Sequence, residues 1–117
     1  MPEQLDVMWL SGIEMEHRKT PYRGIACVVE ITVMDESNVA GRLCIELLPG
    51  EGPRYRSDGL DGAQAAFDQP LKETVDMLEG RSDPTLAFMQ GTLKVRGATR
   101  PLYELFRYFA WQREREG

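Results

Sequence analysis

The chain has 117 residues, enough for one domain with a single core, and its 42% apolar and 28% charged content fits a globular protein. Fourteen basic against nineteen acidic residues give a net charge of −5, which excludes a general nucleic-acid binder, because that function needs a basic footprint. No apolar run approaches the roughly 20 residues that cross a bilayer, so stable membrane insertion is excluded as well.

Within residues 3–20, Leu5, Met8, Trp9 and Ile13 recur at spacings near three and four, which predicts a helix over one edge of the core. Glu14 to Lys19 is charged enough to form its solvated end. His17 is the only histidine, and with no second ligand cluster beside it no metal site is expected. After a turn at Thr20–Gly24, residues 25–34 are almost all apolar or β-branched and read as a strand. Ile25, Cys27, Val29, Ile31 and Val33 share one face, and the second face is apolar enough to be covered too. Asp35–Asn38 reads as a hairpin tip and Arg42–Leu48 as the return strand.

That hairpin sets Cys44 opposite about residue 32, some five positions from Cys27. At about 3.3 Å per residue the gap is roughly 16 Å, beyond the ~7 Å reach of a disulfide, so both thiols are expected free and buried.

Arg54–Arg56 suits a short, exposed third strand, and alternation of Ala63, Ala65 and Phe67 with Gln64, Ala66 and Asp68 suits a fourth. Pro70 opens a helix whose buried stripe is Leu71, Thr74, Val75 and Leu78, with Met77 beside it and Gly80 at its end. Asp83-Pro84 then caps a short helix carrying Phe88 and Met89, which Gly91 stops. Leu93 and Val95 alternate with Thr92, Lys94 and Arg96 in a last strand, closed by Gly97. The final helix starts near Thr99 with Pro101 in its first turn and turns Leu102, Leu105, Phe106 and Phe109 inward. Tyr103, Tyr108 and Trp111 place further aromatics around it. Strands grouped between helices predict an α+β domain with a run of antiparallel strands and helices over one face.

Nothing in this order advertises catalysis. The serines lie in polar or turn contexts without a nucleophile elbow, and the Asp58/Asp61 pair sits in a glycine-rich turn. Gly50-Glu-Gly52 has no helix directly behind it to cradle a phosphate. No catalytic residue, cofactor or metal is expected. The informative feature is an apolar surplus in the C-terminal half, which as a matter of residues alone reads as core, as pocket lining or as a partner interface. Lys94, Arg96 and Arg100 form a small basic group beside it.

The run Gly80-x-x-Asp83-Pro84-x-x-Ala87-Phe88-Met89-x-Gly91-x-Leu93-Lys94-Val95-x-Gly97 resembles the signature of the sterol carrier protein type 2 family, and the order of elements extends the similarity over residues 24–105. The resemblance implies a single sterol-carrier-like domain over 1–117. It has a mostly antiparallel sheet of about five strands, helices over one face and an apolar tunnel between them. It implies non-catalytic binding or carriage of an apolar small molecule such as a fatty acyl chain or a sterol. The ligand-binding residues are then Phe67, Met77, Phe88, Met89, Leu102, Leu105, Phe106 and Phe109.

Two alternatives stay open. One is an assembly or accessory module in lipid, quinone or natural-product metabolism, as a homodimer or with a protein partner through Phe106, Tyr108, Phe109 and Trp111. The other is a pocket enzyme acting on a polyketide or steroid with Tyr55, Asp58 or Tyr103 as acid or base. The basic group admits a transient membrane contact. A start without basic residues and an end without a Ser-Lys-Leu address make the cytoplasm the expected location.

Overall fold

The computed structural model describes residues 6–57 and 62–116, with side chains to residue 114. Asp6 caps the first helix, α1 (Val7–His17), accepting from the Met8 N–H at 3.3 Å. Leu10 and His17 are buried and Ile13 packs against the core between them, an i, i+3, i+7 stripe. The expected stripe was rotated from this one: Met8 is exposed, Trp9 only flanks the core, and Leu5 lies outside the described residues. His17 belongs to the inner stripe and is not a solvated helix end, because the strand carrying Tyr55 supplies its imidazole with a partner.

β1 (Cys27–Asp35) and β2 (Asn38–Leu47) form an antiparallel hairpin closed by Glu36-Ser37, with Glu36 at φ 58° and a bulge at Val33/Met34. The return strand thus begins four residues earlier than expected, and Cys44 sits opposite Glu30 instead of residue 32. Cys27 pairs with Leu47 and faces the helices, while Cys44 lies in the opposite-facing row. Both cysteines are free and buried, as expected, with side chains on opposite faces of the sheet. β3 (Arg54–Arg56) pairs with β2, and its Tyr55, expected to be exposed, is buried.

β4 (Ala65–Pro70) corrects the expected topology. It lies on the far side of β1 and runs parallel to it, pairing Ile31 with Phe67. The sheet order is β3-β2-β1-β4-β5, with β5 (Val95–Gly97) antiparallel to β4 at the edge, so the sheet is mixed although mostly antiparallel. α2 (Leu71–Leu78) follows β4 directly and buries Thr74, Val75, Met77 and Leu78; α3 (Thr85–Met89) and α4 (Thr99–Glu116) complete the chain.

One face of the sheet collects Cys27, Val29, Ile31, Val33, Leu43, Ile45, Leu47, Tyr55, Ala65 and Phe67, all buried, and the inward residues of α1, α2 and α4 join them in one core. The reverse face was expected to be covered too. Val28, Glu30, Thr32 and Met34 are instead only half-buried there, and that face carries the Glu30–Arg42 (3.6 Å) and Asp68–Arg96 (2.9 Å) pairs. Helices on one face and ion pairs on the other are how an antiparallel sheet meets water on one side.

Two glycines frame the segment between α3 and α4. Gly91 (φ 74°) has open space where a Cβ would lie, whereas a Cβ at Gly97 (φ 85°) would sit 2.5 Å from the Gln64 carbonyl oxygen and 2.9 Å from the Ala65 Cα. Gly91→Val is expected to cost on the order of 1–3 kcal/mol from backbone strain alone. Gly97→Val is expected to cost more, because it also pushes on the β4 backbone. Thermal melts of the two variants check this order, and an unshifted Gly91→Val midpoint would refute the strain at that position.

Candidate functional site

The residues expected to bind a ligand come from four elements, β4, α2, α3 and α4. Phe67 points from β4 toward the helices and meets the Phe106 ring of α4 edge-on, centroids 5.5 Å apart. Phe88 of α3 leans on Phe106 at 5.4 Å and on Tyr103 at 5.4 Å. Met77 from α2 and Leu102, Leu105 and Phe109 from α4 are fully buried in the same core cluster, with Phe88 half-buried at its margin. Edge-to-face rings at these distances gain about 0.5–1.5 kcal/mol per pair beyond area burial. The structure therefore gathers seven of the eight residues into one apolar layer between sheet and helices. Met89 stands apart, largely exposed at the end of α3.

A polar cluster abuts one end of this layer. His17 Nδ1 lies 2.5 Å from the Tyr55 hydroxyl, and its ring stands edge-on to Tyr55, Tyr108 and Phe109. Burial drives its pKa down to about 4, against weaker upward pulls from the Leu78 backbone and Glu16, so the imidazole is neutral at pH 7. The hydrogen bond with Tyr55 satisfies both groups, and burial raises the Tyr55 phenol well above its usual value. The Tyr108 hydroxyl donates to the Thr20 carbonyl at 2.7 Å, and the Gln112 side-chain amide donates to both the Tyr108 and Thr20 hydroxyls. Among the described residues no buried side-chain nitrogen or oxygen lacks a partner, so this network locks the last turn of α1 to α4.

On the adjoining face of α4 a groove of about 670 Å³ runs against Pro21–Ile25. Tyr22 forms its polar floor: the hydroxyl lies 2.5 Å from the Ile25 carbonyl oxygen, 3.1 Å from Glu104 Oε2 and 3.9 Å from Cys27 Sγ. Ile25, Ala110 and Trp111 provide apolar wall. Burial pushes both the Tyr22 phenol and the Cys27 thiol up, so both are protonated at pH 7 and neither is an activated nucleophile or base. Sequence reasoning missed this groove. The signal was present in Arg100, Glu104, Arg107, Trp111 and Glu114, which share a stripe of α4 beside the inner one, but the segment that faces them is some 80 residues away.

Of the candidate acids and bases, Tyr55 is buried and held by His17, Tyr103 packs on Phe88, and Asp58 lies outside the described residues. Among the described residues no cluster of three or more His, Cys, Asp or Glu side chains could hold a metal, and no helix is long and apolar enough to cross a membrane.

Strand order, a parallel β1–β4 pair inside an otherwise antiparallel sheet, and helices over one face define a sterol-carrier-like α+β domain. A solved structure described as the UbiJ-SCP2 ubiquinone synthesis protein matches with a TM-score of 0.65 at 13% identity, covering 90% of this chain and 96% of that one. The sterol carrier protein domain 2 of Helicoverpa armigera matches with a TM-score of 0.62 at 18% identity, over 97% of this chain and 96% of that one. Sterol carrier protein-2 like-3 from Aedes aegypti matches with a TM-score of 0.65 at 9% identity, over 88% and 94%. At these identities the likeness is one of fold. No family model matches the sequence, and none of the curated proteins does.

Proposed function

We propose that the protein binds and carries an apolar small molecule without transforming it. The ligand lies in a tunnel walled by Phe67, Met77, Phe88, Leu102, Leu105, Phe106 and Phe109, with Met89 at its rim. The observation that carries this reading is the aromatic layer sandwiched between sheet and helices of a sterol-carrier-like fold, bordered by the half-buried Phe88 of α3. That helix spans five residues and buries none of them fully, so Phe88 can withdraw with it and open the layer. Each buried CH₂ contributes about 0.8 kcal/mol, so an acyl chain of about a dozen carbons offers roughly 10 kcal/mol before ordering costs. Micromolar binding needs about 8 kcal/mol net, which a well-filled tunnel approaches. The protonated Tyr22 and Cys27 and the neutral imidazole of His17 suit a site that holds its ligand and leaves it unchanged.

A fluorescent fatty acid and a fluorescent sterol, titrated into the protein, are expected to bind at micromolar concentration and to change the emission of Trp111, which lines the groove on the same helix. Ala65→Phe places a ring on the inner face of β4, next to the Phe67 layer, and is expected to abolish this binding while circular dichroism stays native. Overpacking of that kind costs about 1–3 kcal/mol, small enough for a stable domain to keep its fold. Failure of both probes to bind the wild-type protein sinks the carrier reading. An accessory role in quinone synthesis is the second reading, favoured by the match to the ubiquinone synthesis structure. Native mass spectrometry of freshly purified protein separates the two: a carrier retains a lipid mass, whereas an accessory module shows a protein partner.

A further inference from the structure

Few side chains fasten α1 to the rest of the molecule. Leu10 is buried, Trp9 and Ile13 pack partly against the core, and Val7, Met8 and Met15 face water. The principal neighbour of α1 is β3, an edge strand of three residues. Among the described residues no ion pair joins α1 to another element, and His17 is the one α1 side chain hydrogen-bonded to another element. Eleven residues with Gly12 among them make a helix that is marginal by itself, since isolated helices need about 12–15 residues to persist in water. The chain just beyond it is held firmly. Thr20 is hydrogen-bonded to Tyr108 and Gln112, and Tyr22 shares backbone hydrogen bonds with Gly50 and Glu51. Arg18-Lys19 thus lies between a lightly held helix and a fixed turn, and His17 is the residue that α1 itself contributes to the polar network.

We propose that α1 is an acid-released lid: protonation of His17 unlatches the helix from β3 and uncovers Phe109 at the end of the apolar layer, while Thr20–Tyr22 stays in place as the hinge. The Leu78 backbone draws the ring's N–H, which leaves Nδ1 to accept from the Tyr55 hydroxyl. A proton on Nδ1 sets two donors against each other, and the Tyr55 hydroxyl has to turn away inside a buried site. The titratable groups facing the ring are Tyr55 from β3 and Tyr108 from α4. From α2 comes the Leu78 backbone, and Glu16 of α1 itself exerts the one carboxylate pull. Burial outweighs that pull, so a charged ring is better hydrated outside than held inside. It reaches water most readily by taking the lightly held α1 with it. The lid belongs to the protein without ligand and stands apart from carriage.

Hydrogen exchange of the full chain at pH 7 and pH 5.5, read by mass spectrometry as protection relative to an unstructured peptide, tests the lid. Amides of α1 are expected to be less protected than those of β1 and β2 at both pH values, the mark of an opening separate from global unfolding. Their protection is expected to fall about eightfold between pH 7 and pH 5.5, the ratio that a pKa of about 4 in the closed state and 6.5 in the open state produces. Glu16→Gln alters an exposed neighbour and is expected to keep that fall, whereas His17→Gln is expected to show the same α1 protection at both pH values. Should His17→Gln not fold, the wild-type protein decides the matter. Its single histidine gives one ring titration by nuclear magnetic resonance, and the midpoint is expected well below 6.5. Equal protection of α1 and β1, an undiminished fall in His17→Gln, loss of the fall in Glu16→Gln, or a ring midpoint at the free-imidazole value overturns the proposal.

Discussion

Phe67→Ala is expected to lower the free energy of unfolding by about 3–5 kcal/mol, the range for removing a buried aromatic ring. The ring is fully buried on the inner face of β4, beside Ile31 of the central strand, and stands edge-on to Phe106. Truncation forfeits the transfer free energy of the ring, leaves a cavity that a sheet with fixed pairing cannot collapse, and removes the ring pair. Phe88→Ala is expected to cost less than half as much, because that ring is only half-buried and α3 can settle into the gap. Urea denaturation at pH 7 reads both values. A Phe67→Ala loss under about 1 kcal/mol would show that the layer collapses around the missing ring, contrary to close packing. A cycle with Phe106→Ala should return a coupling of about 0.5–1.5 kcal/mol.

Stability is expected to fall by about 3 kcal/mol between pH 7 and pH 4 on account of His17 alone. Its folded pKa of about 4 lies below the 6.5 of a free imidazole, so the unfolded chain takes up a proton first as pH drops. The contribution is complete above pH 6.5, declines as pH falls toward 4, and changes no further below that, at about 1.4 kcal/mol per pKa unit. The cause is burial of the ring among Tyr55, Tyr108 and Phe109, where a cation has no carboxylate in contact. Urea midpoints of wild type and His17→Gln, compared from pH 7 to 4.5, isolate this residue from the carboxylates, which titrate in both proteins. The variant should be less stable at pH 7 and should lose less on acidification; parallel curves for the two proteins would refute the assignment.

What the sequence determined by itself is local. Alternation in residues 25–34 and 63–68, the inward stripe Leu102, Leu105, Phe106 and Phe109, and the helix-stopping Gly91 depend only on the repeat of a strand or helix and on which residues tolerate a positive φ. Those features sufficed to recognise an α+β domain and to name the apolar residues that meet between its layers. Met89 lies exposed beside that layer instead of within it, because a five-residue helix has too few turns to define which face is inner.

The tertiary structure alone decided the rest. β4 takes the free edge of β1 because the β2–β3 meander occupies the other, and its parallel direction was not legible because alternation is the same for either strand direction. The burial of His17 was likewise unreadable from its charged neighbours. Its partner Tyr55 is 38 residues away, and only pairing of β3 onto β2 brings that hydroxyl to the ring. The groove follows the same logic: Tyr22 and Glu104 lie 82 residues apart, joined when α4 packs across the start of β1. A one-dimensional pattern records which side chains avoid water, but a polar group's surroundings depend on which distant segment arrives to hydrogen-bond it.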